Sequence, residues 1–401
     1  MKTRIGMMVL AMVGCMLLSG SSSQADLAIQ SFDSSGQLTF STLNNGTNYN
    51  YQVEWAPSPA GPWSSYSGAG SWLEISQAAQ GSNITNTVPM CYRVVATLGD
   101  YMVVDISGGT NATTYPVSYY RTLADIPGGV GVNADAYKTT NMVFRRIPAG
   151  TFTMGTPAGE LGRDSDEVEH QVTLKKSFYI GVFKVTQKQW ERVMGTWPSF
   201  FTNVSCRDSR PVEQVTYEMI RGSNVGAGWP SNSNVDTDSF MGCLRTRTGK
   251  TFDLPTEAQW EYAGRAGTHT ALNSGKNLTS GISCPNMAEV GRYSYNGGSP
   301  YTQGGDTSVG PAKVGSYLPN AWGLYDMHGN AWEICLDWYG AYPGTVNDPK
   351  GASTGVGRVM RGGSWGSSHA YDCRMGNRYD YRTGPPGDGN NGFRIVLQAA
   401  Q

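Results

Sequence analysis

Two textures of apolar and polar residues divide the chain. Between residues 26 and 100 the texture is alternation: in "YNYQVEW" Tyr49, Tyr51, Val53 and Trp55 take every second position, and "CYRVVA" (91–96) closes the block. A period of two places one set of side chains on one face of a strand, and Asn45-Gly46 between such runs is a turn signal. The pattern predicts a small β-sandwich module over 26–100. Residues 101–140 read as one or two strands and a Gly-rich connector. From Met142 onward short strands alternate with long polar loops and two helical stretches. Thr186 to Gln189 and Thr256 to Gln259 both fit a capping box, in which Thr and the Gln three residues on satisfy each other's free backbone donors. The first helix turns Trp190, Val193 and Met194 to a core and stops at Gly195; the second presents Trp260 and Ala263 and ends before Gly267. No internal repeat is visible.

Composition adjusts this picture in three ways. The 52 glycines, 22 tyrosines and 11 tryptophans suit turns and short strands better than long helices. With 30 Lys and Arg against 31 Asp and Glu, no basic field advertises a nucleic-acid or anionic-membrane partner. At the N-terminus Lys2 and Arg4 precede an apolar run from Ile5 to Leu18 and a small-residue site at Ser23-Gln24-Ala25. That is the layout of a secretory signal over 1–25, too short for a transmembrane anchor, and it predicts a secreted, periplasmic or cell-surface protein. Lipidation of Cys15 is the second option. Cys91, Cys206, Cys243, Cys284, Cys335 and Cys373 would remain, with no spacing that marks a zinc site; their pairing cannot be deduced from sequence.

Seven blocks follow in a fixed order: "PAGTFTMGT" (148–156), "VTLKKSFYIGVFKVTQKQW" (172–190), "RPVEQVTY" (210–217), "LPTEAQWEYAGRAG" (254–267), "VGSYLPNAWGLYDMHGNAWEICLDWY" (314–339), "RVMRGGSW" (358–365) and "GFRIV" (392–396). Together they resemble the formylglycine-generating, or sulfatase-modifying-factor, family over 141–397. The resemblance implies an α+β fold of C-type-lectin-like type, with a small twisted β-core, two helices and much irregular structure.

The "DMHGNAWE" block carries the clearest chemistry. Asp326 and Glu333 bracket a Gly-containing turn, and hard carboxylate oxygens with turn carbonyls suit Ca²⁺. The residues alone leave a second reading open, in which Asp326 caps the turn and Glu333 pairs with an arginine. The resemblance implies calcium here, through Asp326, Glu333 and the backbone at Met327, Gly329 and Ala331. It implies a second calcium site at Asn286, Met287, Asp306 and Ser308, where Ser308 departs from the usual aromatic.

The family's enzymes oxidise a substrate cysteine to formylglycine with O₂ and a copper ion held by two thiolates, at the third and eighth positions after the serine of "GGS". Counted from Ser364 these are Ser367 and Asp372, neither a cysteine. Cys373 lies one place beyond, and 358–401 holds no second thiol, although Cys335 is a distant alternative. Copper is therefore not expected. An iron-dependent relative would need clustered histidines, whereas His170, His269, His328 and His369 are scattered and read as surface or hydrogen-bonding residues.

Between Trp365 and Gly392 the chain is rich in Gly, Ser, Tyr, Asp, Asn and Arg, the composition of adaptable recognition loops. Ser367, His369, Tyr371, Asp372, Arg374, Asn377, Tyr379 and Tyr381 are the candidate contacts, with Arg378 and Arg394 as framing residues. The expected function is a monomeric, calcium-stabilised module that binds a protein, peptide or glycan. The alternatives are an active copper oxidase and a variable surface receptor diversified between GGSW and GFR.

Overall fold

The computed structural model describes strand backbone within 29–98 and residues 99–128, 135–222, 235–297, 309–382 and 389–398. The signal-like segment 1–25, Cys15, Cys91, Asp306 and Ser308 lie outside the described residues. By contact the chain divides into two units, one of 1–100 with 118–125 and one of 101–117 with 126–401.

The first unit holds two small antiparallel sheets. In one, Gln37–Ser41 lies between Ile29–Phe32 and Asn83–Thr87. In the other, Tyr49–Trp55 pairs with Tyr92–Leu98 so that Tyr49, Tyr51, Val53 and Trp55 stand opposite Leu98, Ala96, Val94 and Tyr92. The alternating positions of the two strands thus share one face.

The second unit begins earlier than the sequence texture indicates. Strand β1 (Tyr101–Asp105), one of the strands expected in 101–140, pairs antiparallel with β2 (Asn141–Ile147) and so belongs to this unit. Strand β3 (Phe178–Gly181) lies on the other side of β2. The reason is burial: Met102, Val103 and Val104 of β1, Met142, Val143 and Phe144 of β2 and all of β3 are buried, so each strand is a continuous apolar run that needs cover on both faces.

Helix α1 (Gln187–Met194) starts from the Thr186 capping box and stops at Gly195, whose φ of 71° is the left-handed conformation glycine adopts without strain. Helix α2 (Phe240–Thr248) was not expected; Ser239 caps it, and Phe240, Met241 and Leu244 are buried. Helix α3 (Glu257–Arg265) carries the second capping box at Thr256. Each box is worth on the order of 1 kcal/mol. A second sheet follows, with β4 (Trp332–Trp338) beside β5 (Gly357–Arg361) and β5 beside β6 (Arg378–Arg382). Strand β7 (Val396–Gln398) returns to pair with β3. Trp190 of α1, Phe240 of α2 and Phe393 converge, with ring centroids 5.2 to 6.1 Å apart, joining the helices to the C-terminal segment. The architecture is α+β, with few helices and several small sheets.

Candidate functional site

Helix α3 and the β4–β5–β6 sheet enclose charge rather than an oily core. Strand β5 is buried along its whole length although it holds two arginines. Arg361 bonds Glu261 and lies 3.4 Å from Glu257, both on α3. Arg358 sits over the rings of Trp338 and Tyr217 at 3.6 and 4.3 Å and donates to Leu336 O. Arg378 of β6 makes a bidentate pair with Glu257 at 2.7 and 2.8 Å and lies over the Tyr339 and Tyr342 rings, which bears out its place in the frame.

Asp326 and Glu333 end up in the middle of this charge layer, both fully buried. Glu333 Oε1 accepts from Lys184 Nζ at 2.5 Å and Arg394 Nη2 at 3.0 Å; Oε2 accepts from Trp260 Nε1 at 2.8 Å and Arg394 Nε at 3.0 Å. Burial alone would raise this carboxyl, but Arg394 and Lys184 hold it at about 2. Asp326 has a φ of 57° and accepts from Gly315 N at 2.7 Å through Oδ2, while Oδ1 has no hydrogen-bond partner. Here the calcium expectation does not fit. A carboxylate offers about four acceptor sites, and all four of Glu333 are taken by donors that a cation would have to expel. The alternative reading of these residues, Glu333 paired with an arginine, is the arrangement found. Of the second calcium set, Asn286 donates to Asn277 O at 2.8 Å and Met287 is buried, with the other two residues outside the described ones. Among the described residues no three His, Cys, Asp or Glu side chains form a group able to hold a metal.

The segment after "GGSW" folds back tightly. A Cβ at Gly363, where φ is 76°, would lie 2.4 Å from Cys373 Sγ and 2.9 Å from its Cα, so only glycine allows the turn to pack there. The Ala370–Cys373 turn buries Ala370 and Cys373 in a cluster with Leu272, Cys284, Met287 and Tyr293. His328 locks this turn from below: Nδ1 donates to Cys373 O at 2.6 Å and Nε2 accepts from Asn273 N at 3.0 Å. Full burial, with the cations Lys184 and Arg265 nearby, depresses its pKa to about 4 and keeps the ring neutral.

Several expected contacts are therefore not at a surface. Ser367 is buried, its hydroxyl accepting from Ser364 N at 3.1 Å. Arg374 is wholly buried and pairs with Glu167 through both guanidinium ends and with Glu160 at 2.7 Å. Asn377 is buried and its carbonyl accepts from Arg361. These three belong to the frame because the arginine of "DCRMGNR" had carboxylates waiting 207 and 214 residues upstream, a pairing no local pattern announces. His369 and Tyr371 stack at 4.6 Å and are half-buried, as are Asp372 and Tyr381. Tyr379 alone of the eight is freely exposed, at 59%.

Two exposed aromatic groups frame the segment. Phe200, 67% exposed, packs edge-on against Phe201, and Phe201 against Trp365, with centroids 5.1 and 4.9 Å apart. Glu213 anchors that turn by accepting from Phe200 N and Phe201 N at 3.1 and 3.0 Å. Trp332 and Tyr379 form the other pair, 5.7 Å apart. The 389–390 backbone links them: Trp365 Nε1 donates to Gly389 O at 2.9 Å and Trp332 N to Asn390 O at 2.7 Å. Phe200, Phe201 and Trp332 escaped the sequence reading; the signal available was "PSFF", adjacent aromatics in a polar loop.

Thiol chemistry has one unexpected feature. Cys373 is fully buried and burial pushes its thiol up to about 12, while Cys335 in β4 is also buried, with its Sγ toward Glu333 O. Cys284, however, shares the cluster of Cys373, and donors from Thr279 at 3.4 and 3.5 Å draw its thiol below the usual cysteine value against the effect of burial. Among the described residues Cys243, Cys284, Cys335 and Cys373 are free thiols. No helix among them is long and apolar enough to cross a membrane.

Comparison with known proteins places this geometry. The sulfatase-modifying factor enzyme 1-like domain matches residues 131–399. A formylglycine-generating enzyme of Streptomyces coelicolor is 40% identical over 296 residues, covering 63% of this chain and 88% of that protein. The chaperone protein LppX of Paenibacillus barcinonensis is 33% identical over 227 residues, covering 50% of this chain and 73% of its own. Among solved structures, Treponema denticola variable protein 1 is 26% identical with a TM-score of 0.49, covering 65% of this chain and 96% of that one.

Proposed function

The chain belongs to the sulfatase-modifying factor enzyme 1-like family, and from that premise we propose that it acts as a binding module rather than as a copper oxidase. The observation that carries this reading is the state of the positions where the resemblance puts the copper thiolates. One is Ser367, buried with its hydroxyl bonded to Ser364 N, and the other is Asp372. The adjacent Cys373 is a single, fully buried thiol, whereas the copper of the family's enzymes needs a pair of thiolates. The recognition surface is the aromatic border made by Phe200, Phe201, Trp365, Trp332 and Tyr379, whose rings offer large contact area at low entropic cost. The partner is a protein, peptide or glycan. Glycan and peptide arrays probed with the wild type, Phe200→Ser and Tyr379→Ser test it: specific binding that both variants reduce tenfold or more is expected. Undiminished binding by the variants would remove the aromatic border from the reading.

One observation favours a second reading, residual oxidase activity: the Cys284 and Cys373 thiols share one buried cluster. Incubation with Cu(I), O₂ and a Cys-x-Pro-x-Arg peptide decides between them. The binding reading expects the peptide thiol to persist. Conversion to an aldehyde, lost in Cys284→Ser, would establish the oxidase instead.

A further inference from the structure

The mismatch between the Asp326–Glu333 centre and calcium has a specific cause. Asp326, Glu333, Lys184 and Arg394 are all at most 1% exposed, and two carboxylates face two cations, so the centre is neutral as built. Lys184 reaches Glu333 with a 2.5 Å contact, and the Asp326 carboxylate also attracts its ammonium. Calcium takes six to eight oxygens. Entering here it would bring a surplus of two positive charges into a closed site, or else drive out an ammonium that has no other acid to pair with. Either route costs several kcal/mol per unpaired buried charge.

We propose that the Lys184 ammonium is a built-in cation that takes the place of a divalent metal between Asp326 and Glu333, so that this centre is metal-free in the working protein. The Lys184 stem rises between the buried residues Phe183 and Val185, in the extended run from β3 to α1, which fixes where its ammonium arrives. Arg394 supplies the second charge through its paired contacts to Glu333 and is tied at its other end to the Gly181 and Val182 carbonyls at 2.7 and 2.9 Å. Asp326 Oδ1, buried without a hydrogen-bond donor, is the oxygen that a metal would use once the ammonium was removed.

The test is metal stoichiometry by mass spectrometry, with melting in calcium and in chelator, on the full chain and on Lys184→Ala, Asp326→Asn and the double variant. The wild type and Asp326→Asn are expected to bind the same number of calcium ions, whatever other centres contribute, and to shift equally on chelation. Lys184→Ala should melt lower, bind one ion more per chain and regain melting temperature in calcium, and the double variant should lose that gain. Loss of one ion from the wild type on Asp326→Asn would overturn the proposal. So would a folded Lys184→Ala that gains no ion. If Lys184→Ala does not fold, the comparison of wild type with Asp326→Asn still decides.

Discussion

The polar and aromatic residues of the segment 358–382 meet two opposite fates. Arg358, Arg361, Arg374 and Arg378 are at most 5% exposed and hold the domain together, whereas Tyr379, next in line to Arg378, is 59% exposed. The difference is the partner each meets. The guanidinium of Arg378 reaches Glu257 on α3, while the next side chain along the strand, Tyr379, lies on the other face and packs against the half-buried Trp332. A polar, aromatic-rich composition therefore does not identify a binding loop; half of such a loop can be the frame that carries the other half. Substitutions in frame and border should accordingly differ greatly in what they cost.

The largest effect is expected at the centre of the frame. Glu333→Gln leaves two buried cations, Lys184 and Arg394, with Asp326 as the one remaining carboxylate of the centre, and should destabilise the domain by about 3–5 kcal/mol, read from urea unfolding. A loss below about 1 kcal/mol would mean that water reaches this centre. Arg374→Met poses the same question nearer the border. It strands Glu167 and Glu160 and should cost about 3 kcal/mol. A stability near wild type would return Arg374 to the list of surface contacts.

How much of this was legible beforehand follows the range of the interactions. Both capping boxes, the strand faces of the first unit and the family itself were readable because they are set by residues within a few positions or by ordered blocks. Helix α2 was missed because Gly242 and four polar residues in nine dilute its apolar face. Strand β1 was expected as a strand but not as part of the second unit, because its partner β2 lies some 40 residues further on. The buried role of Arg374 and the occupancy of Glu333 by Lys184 depend on partners 149 to 214 residues away, and carboxylates look alike in sequence whether they meet calcium or an amine.

An intermediate effect is expected from acid. His328 titrates at about 4 in the folded chain against about 6.5 when unfolded. The unfolded state therefore binds the proton first. The stability from the neutral ring is complete above pH 6.5 and is lost as pH falls from there toward 4, by up to about 3 kcal/mol. His328→Gln should remove that component of the acid slope while the part due to the carboxylates remains. An unchanged slope would show that His328 is reached by water and does not lock the Ala370–Cys373 turn as tightly as its contacts indicate.

The smallest effect on stability should come from the border, and there it is the informative result. Phe200 and Tyr379 already have most of their surface in water, so Phe200→Ser and Tyr379→Ser remove little buried area and should change unfolding free energy by no more than about 1 kcal/mol each. Their rings pack against Phe201 and Trp332 respectively. Large aromatics exposed to this extent are the physical ground for assigning the border to recognition. If either substitution costs as much as Arg374→Met, the ring is part of the frame, and the division between support and contact surface must be drawn further from β6.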